Sequence, residues 1–433
     1  MTHFGILCPA AIGHLNPMTT LGSELLRRGH RVTVFNLLDA KTTTLASGLE
    51  FQPLAEDEFP AGSMAEGLAK LGKLSGLTAF RYTIKAFTEI SAALLTEAPT
   101  AIQKAGVEAL LVDQVSFEGG TIAEFLNLPF VTVCSALMVN RDPNIPPFGT
   151  PWQYNPTLAN RLRNLVSYQL LNLAVKPIRE VISEYRKEWK LPLYSHPDDA
   201  YSKLAQLSQQ PAEFEFPRQN LPPHFHFTGP YHNPATRKPV PFPFEQLTGK
   251  PLIYASMGTV QNRLLEVFQI IASACEGLDA QLVISLGGGA TPESLPQLPG
   301  NPIVVGYAPQ LELLQKATLT ITHAGMNTTL ESLTNGVPMV AIPVANDQPG
   351  VAARIAYTGV GEVVSLNQLS VPKVRSAIEK VLNQESYQQR AIEMQGAIVR
   401  SGGTKRAADI IEQAVLTGKP VLASESNIYS RTH

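Results

Sequence analysis

Charge is what this sequence has least of. Asp, Glu, Lys and Arg supply 16% of its 433 residues, against about 25% in an average soluble protein. The 34 basic and 36 acidic residues nearly cancel to a net charge of −2, so no basic field exists to attract nucleic acid. Cysteine is scarce too. Cys8, Cys134 and Cys275 stand far apart with no Cys-x-x-Cys spacing, which argues against a zinc ribbon or a disulfide scaffold and fits a reducing cytosol. Long apolar runs are missing: the near-apolar stretch Leu165 to Val175 falls short of the ~20 residues a spanning helix needs. The first Lys or Arg is Arg27, so no cationic segment marks a secretory leader. A soluble, cytoplasmic protein is expected, with peripheral membrane contact left open.

What is present is a rhythm of short apolar strands and amphipathic helices. Phe4 to Pro9 reads as a strand, Gly13 to Pro17 as a turn, Met18 to Arg28 as a helix stopped by Gly29, and Arg31 to Asn36 as the next strand. Such βαβ spacing implies a parallel sheet. Ala109 to Asp113, the helix Gly119 to Leu126 and Pro129 to Cys134 repeat it. The segment from His232 to Phe244 carries four prolines in 13 residues and reads as a linker. Beyond it, strands at Leu252 to Ser256, Gln281 to Ser285, Ile303 to Val305, Leu319 to Thr322 and Val340 to Pro343 restart the series. The expected fold is α/β, two doubly wound Rossmann-like domains facing a cleft. Residues 1–231 form the first domain, 232–249 the linker and 250–403 the second. In such sheets ligands bind beyond the carboxyl ends of the strands.

Several weaker patterns carry little. Gly67 to Lys73 nearly matches a phosphate loop, but Leu74 stands where a Ser or Thr would hold magnesium. His224 and His226 share a strand face without a third ligand, too few for a metal site.

The informative stretch is Tyr307-Ala-Pro-Gln310, then Thr322 to Glu331, then Asp347-Gln348. A strand ends at Thr322 and a helix starts near Met326, so free backbone N–H groups and the positive end of a helix dipole offer an anion site. Gly325 permits close approach. His323, Asn327 and Thr328 add donors, and Glu331 lies one turn beyond Asn327 on the same face, where it can accept from a ribose diol. Taken singly, Thr322 or Asn327 is an ordinary helix cap and Glu331 a solvated charge; their combination argues otherwise.

This segment resembles the nucleotide-sugar signature of family 1 glycosyltransferases, whose fold is the two-Rossmann GT-B type. The resemblance implies that Tyr307 stacks on uracil, with the Ala308 backbone and Gln310 completing base and ribose recognition. It also implies that His323 and the turn Gly325, Met326, Asn327, Thr328 hold the diphosphate, with Thr259 adding a contact. Glu331 would hold the ribose, and Asp347 and Gln348 would read hexose hydroxyls. Met326, standing where plant members carry tryptophan, is a feature of bacterial macrolide-type members. The resemblance further implies that a C-terminal helix within 404–433 crosses back onto the first domain.

In the first domain His14 follows the first strand and Asp113 ends a later one. Transfer to an alcohol needs a base, and histidine titrates in the useful range. A carboxylate on its other nitrogen fixes the tautomer. By residue type alone, His14 can equally cap a helix and Asp113 open a loop; the family resemblance assigns them as base and partner. Segments such as Asn140-Arg-Asp-Pro143 and Asp347-Gln-Pro-Gly350 resemble carotenoid-modifying members and imply a lipophilic hydroxylated acceptor. The apolar loop Ile145 to Tyr154 is a candidate channel lining. The stretch Leu68 to Leu95 reads as a helix pair packed on the core, with a membrane-surface role as its alternative. The expected reaction is inverting transfer of glucose from UDP-glucose, with no metal or other cofactor required. A macrolide, sterol or flavonoid-like acceptor, a UDP-sugar epimerase and a non-catalytic nucleotide-sugar binding subunit are the other readings.

Overall fold

The computed structural model describes residues 1–72, 74, 76–233, 239–258, 265–288 and 290–423. The first sheet is wholly parallel, in the order β3-β2-β1-β4-β5-β6-β7. Its strands are β1 (His3–Leu7), β2 (Arg31–Asn36), β3 (Glu50–Pro53), β4 (Ala109–Asp113), β5 (Phe130–Cys134), β6 (Gln206–Ser208) and β7 (Phe225–Phe227). β1 and β4 are buried along their whole length, as strands covered on both faces must be. Around them lie α1 (Ile12–Arg27), α2 (Lys41–Ala46), α3 (Ser63–Leu71), α4 (Gly76–Ala105), α5 (Gly119–Phe125), α6 (Leu158–Ala174) and α7 (Lys176–Glu188).

The expected turn at residues 13–17 is instead helix. α1 starts at Ile12 and carries Pro17 inside it. Proline lacks the N–H that would bond the carbonyl four residues earlier, here that of Gly13. The cost is offset from across the molecule, because Asn327 Nδ2 donates to the Gly13 carbonyl at 2.9 Å.

The second sheet is also parallel, ordered β10-β9-β8-β11-β12-β13. Its strands are β8 (Leu252–Ser256), β9 (Gln281–Ser285), β10 (Ile303–Val305), β11 (Ala317–Thr322), β12 (Met339–Ala341) and β13 (Gly361–Val363). The helices are α8 (Leu265–Cys275), α9 (Gln310–Leu314), α10 (Met326–Thr334), α11 (Gln348–Thr358), α12 (Val371–Asn383) and α13 (Glu385–Ser401). Gly402 and Gly403, both at positive φ, then turn the chain into α14 (Gly403–Thr417). This last helix returns to the first sheet: Ala407, Ile411 and Ala414 share a core with Leu21 and Leu25 of α1. Arg28 donates to Asp409 and Glu412 across the same contact. Part of the proline-rich stretch read as a linker, residues 234–238, lies outside the described residues.

The halves meet over both polar and apolar contacts. Leu137 and Phe214 pack into the core formed by Met326, Leu330 and Ile355. A Cβ at Gly350 would lie 1.9 Å from the Phe148 carbonyl oxygen, so only glycine lets α11 approach that loop. At the centre of the contact, the Arg354 guanidinium donates to Glu215 Oε1. Gln210 donates to Oε2 at 2.7 Å, and Arg218 Nε lies 3.4 Å from Oε1. Arg354 and Glu215 are 1% and 2% exposed. Burial alone would raise the Glu215 carboxyl; the Arg354 and Arg218 charges hold it below its usual 4.5.

Removing one partner of a buried pair strands the other charge and typically costs about 3–5 kcal/mol. Glu215→Gln is therefore expected to lower the urea midpoint strongly at pH 7. The sign with pH follows from the depressed pKa. The Glu215 contribution is present above its unfolded value and lost as pH falls through the lower folded one, so the gap between wild type and variant should close in acid.

Candidate active site

Both sheets reverse their strand order at one point, between β1 and β4 in the first and between β8 and β11 in the second. Ligand crevices open at such switch points. In the first half, the switch sets the start of α1 beside the end of β4. His14 Nδ1 lies 3.0 Å from Asp113 Oδ2, although 99 residues separate them. Asp113 is 1% exposed and the His14 side chain 20%. Burial would lower the His14 pKa, but the charges of Asp113 and Asp347 and the Asp113 hydrogen bond lift it above 6.5. With Nδ1–H donating to the Asp113 carboxylate, the imidazole carries its lone pair on Nε2. His14 lines the cleft.

In the second half, the switch sets His323 against the turn after β8. Any Cβ at Gly325 would lie 2.4 Å from His323 Nε2, and one at Gly258 would lie 2.7 Å from it. Two glycines thus make room for this ring. Burial pushes its pKa down to about 4, with the Ser256 backbone offsetting part of the shift. His323 is therefore neutral near pH 7, and its Nδ1 is buried without a hydrogen-bond partner. The next residue, Ala324, sits at φ +64°, a left-handed conformation uncommon for alanine. Gly325 is the N-cap of α10, with no side chain capping the first turn. Neither Thr322 nor Asn327 takes that place. The helix start is open to an anion.

Behind it runs a polar network. Gln310 Nε2 donates to the Glu331 carboxylate and, at 3.3 Å, to Thr328 Oγ1. Gln310 Oε1 accepts from Tyr254 at 3.0 Å. Glu331 is 2% exposed, which rules out a solvated surface charge. Tyr307 presents a half-exposed ring at the end of β10. A single cavity of about 2620 Å³ includes His14 and Asp113 together with Tyr307, His323 and Glu331. Ordinary ligand pockets measure about 300–1000 Å³, so there is room for two substrates.

A model of the family described as UDP-glucoronosyl and UDP-glucosyl transferase matches residues 6–398. The chain belongs to this family. It is 35% identical to the zeaxanthin glucosyltransferase of Pantoea ananas over 98% of both chains. It is 33% identical to that of Pseudescherichia vulneris over 97% of this chain and 100% of the other. The solved structure of CalG4, the calicheamicin glycosyltransferase, matches with a TM-score of 0.75 at 23% identity. That match covers 97% of this chain and 100% of that one. The expected GT-B fold is the one found, and the protein is a UDP-sugar glycosyltransferase.

The remaining candidate residues of this glycosyltransferase fall into place unevenly. Asp347 Oδ2 accepts the Leu137 N–H at 3.1 Å, and burial raises its carboxyl. Gln348 spends its Oε1 on the Val344 and Ala345 N–H groups at 2.9 Å each. The Ala308 carbonyl accepts from the Gln310 N–H at 2.8 Å. Met326 buries its side chain in the core and offers the site mainly its backbone. Asn327 points across the cleft rather than along its own helix: it donates to Gly13 and accepts from Gln209 at 2.9 Å. Thr259 lies outside the described residues.

Sequence reasoning missed Tyr254, Gln209 and Glu118. Tyr254 sits on a strand otherwise read as plain core. Glu118, 3% exposed, accepts from Ser91 at 2.8 Å within the same cavity. Among the described residues no group of three or more His, Cys, Asp or Glu side chains could hold a metal ion. The three cysteines are free and buried. No helix among those residues is long and apolar enough to cross a membrane.

Two histidines in one cleft are held in opposite directions, and NMR titration can read both. His14 is expected to titrate above 6.5 and to fall when Asp113→Asn removes the carboxylate. His323 should titrate near 4, unaffected by that change.

Proposed function

We propose that this enzyme transfers glucose from UDP-glucose to a hydroxyl of a lipophilic acceptor, a carotenoid such as zeaxanthin, with inversion at the sugar. The observation that carries the reading is the His14–Asp113 bond at the wall of an apolar cleft whose opposite wall holds the open start of α10. The likeness to zeaxanthin glucosyltransferases over nearly the whole chain supports the acceptor class.

In the proposed step, His14 Nε2 takes the acceptor hydroxyl proton while the oxygen attacks the anomeric carbon. The bond from that carbon to the β-phosphate oxygen breaks, and its electron pair leaves with UDP. Asp113 orients the ring and balances the imidazolium that forms. Negative charge grows on the diphosphate as it leaves, where the backbone N–H groups from Gly325 to Thr328 and the neutral His323 can receive it. Asn327 contributes there through its backbone, since its side chain is engaged with Gly13. Tyr307 would stack on the uracil, with Gln310 and the Ala308 backbone at its edge. Glu331 would share its carboxylate between Gln310 and the ribose diol. Asp347 and Gln348, lining the cavity beside His14, would meet the hexose.

The test is UDP release from UDP-glucose with and without detergent-solubilised zeaxanthin, followed by mass analysis of the pigment. A gain of one or two hexose units is expected; unchanged pigment overturns the acceptor assignment. His14→Ala should lower transfer by about 10²–10⁴-fold, the usual worth of a general base, while UDP-glucose still binds. Asp113→Asn should lower the rate and move the acid limb of the pH profile downward, because it removes the charge that raises the His14 pKa. Transfer is expected to survive EDTA.

Gly325→Ala drives a methyl into the His323 ring and is expected to weaken UDP binding at least tenfold by calorimetry. Unchanged affinity would remove His323 from the diphosphate site.

A further inference from the structure

Helix α6 is inside out. Surface helices bury an apolar stripe and expose a polar one, yet this one buries Asn164 and Tyr168 and exposes leucines. Leu158, Leu162, Val166 and Leu173 are 84%, 64%, 52% and 69% exposed. At 100° per residue these four fall within one quadrant of the helix. The buried polar pair is fully used: Asn164 donates to the Pro143 carbonyl at 3.1 Å and Tyr168 to that of Ile145. The orientation is therefore fixed by hydrogen bonds, with the leucines facing outward.

The charge along this stretch of chain has one sign. Residues 143–179 contain no Asp or Glu and four cations, Arg161, Arg163, Lys176 and Arg179. Lys176 pairs with Glu180 of α7 at 3.3 Å and Arg179 lines the cleft, which leaves Arg161 and Arg163 as the excess. Arg163 lies over the Trp152 ring, 4.1 Å from its centroid, an aromatic and cation pairing suited to a lipid headgroup layer. Leu165, Leu171 and Ala174 of the same helix line the cleft.

We propose that α6 seats the enzyme on an anionic lipid bilayer, with its outer leucines among the acyl chains and its arginines at the headgroups. This deepens the proposed function and rests on it in one respect: a lipophilic acceptor could pass from bilayer to cleft along one helix without crossing water. A second copy of the chain is the less suitable occupant. A twofold contact is self-complementary, and it would set like charges together with no carboxylate in the stretch to pair them.

The experiment is co-sedimentation of the full chain with phosphatidylcholine vesicles, with and without 30% phosphatidylglycerol. Binding to the anionic vesicles is expected, weakened by high salt because the cations near the surface are screened. A Leu162→Glu, Val166→Glu, Leu173→Glu variant should lose at least tenfold in partitioning while keeping its circular dichroism and melting temperature. These side chains lie outside the cleft lining, so transfer to detergent-solubilised acceptor should persist and transfer to vesicle-borne acceptor should fall. Arg161→Gln with Arg163→Gln, a milder change, should reduce the salt dependence. Wild-type protein that stays in the supernatant, or a triple variant that binds as well as wild type, overturns the proposal. A wild-type dimer that the triple variant converts to monomer, with no vesicle binding by either, assigns the face to a second copy instead. Vesicle binding without transfer to any acceptor would leave the docking face standing and overturn the acceptor assignment.

Discussion

One buried carboxylate sets the spacing on which the cleft depends. Glu215, from the first half, is shared by Arg354 of α11 and Arg218 of its own neighbourhood, all nearly excluded from water. Taking such charges out of water is expensive, and only the mutual pairing and the Gln210 donor make it tolerable. The arrangement therefore admits little slack between the halves. With α11 held there, Gly350 touches the Phe148 carbonyl and Asp347 reaches the Leu137 N–H. Asn327 likewise reaches the carbonyl that Pro17 leaves open in α1. A proline that would ordinarily be a defect is thus turned into a point of attachment between the helix bearing His14 and the helix start opposite.

The two cleft histidines show how a single residue type serves two environments. His14 faces two carboxylates, and their field outweighs its burial. His323 is packed between glycines, and burial outweighs the Ser256 backbone that would raise it. One ring is tuned toward holding a proton, the other toward staying neutral beside an anion. Nothing but their surroundings distinguishes them.

Much of this was legible in the residues. Strand patterning gave two parallel sheets, because strands buried on both faces read as unbroken apolar runs. The stretch from His323 to Glu331 announced a strand-to-helix junction. The cross-cleft contacts were not legible. Asn327 looks like a phosphate donor in sequence, and only the docking of the halves shows its side chain committed to Gly13. The helix at Ile12 was hidden by Pro17, whose usual effect is cancelled by a residue 310 positions later in the chain. Glu215 lacks any local pattern, since its partners lie on other elements. The reversed α6 was read only as a near-apolar stretch, because periodicity shows that a helix has two faces and not which one turns outward.

The return of α14 has a bearing on how the molecule comes into being. Its Ala407, Ile411 and Ala414 complete a core begun by α1, and Glu412 pairs with Arg28 across 384 residues of chain. Contacts of such span form late in folding, after the entropy of closing a long loop has been met. During synthesis the first sheet emerges early, but the outer side of α1 stays bare until residue 417 has followed. The intermediate thus carries an unsealed apolar flank for most of its time on the ribosome, a period when such surfaces invite aggregation. The outer face of the helix that presents His14 is consequently among the last surfaces to be covered.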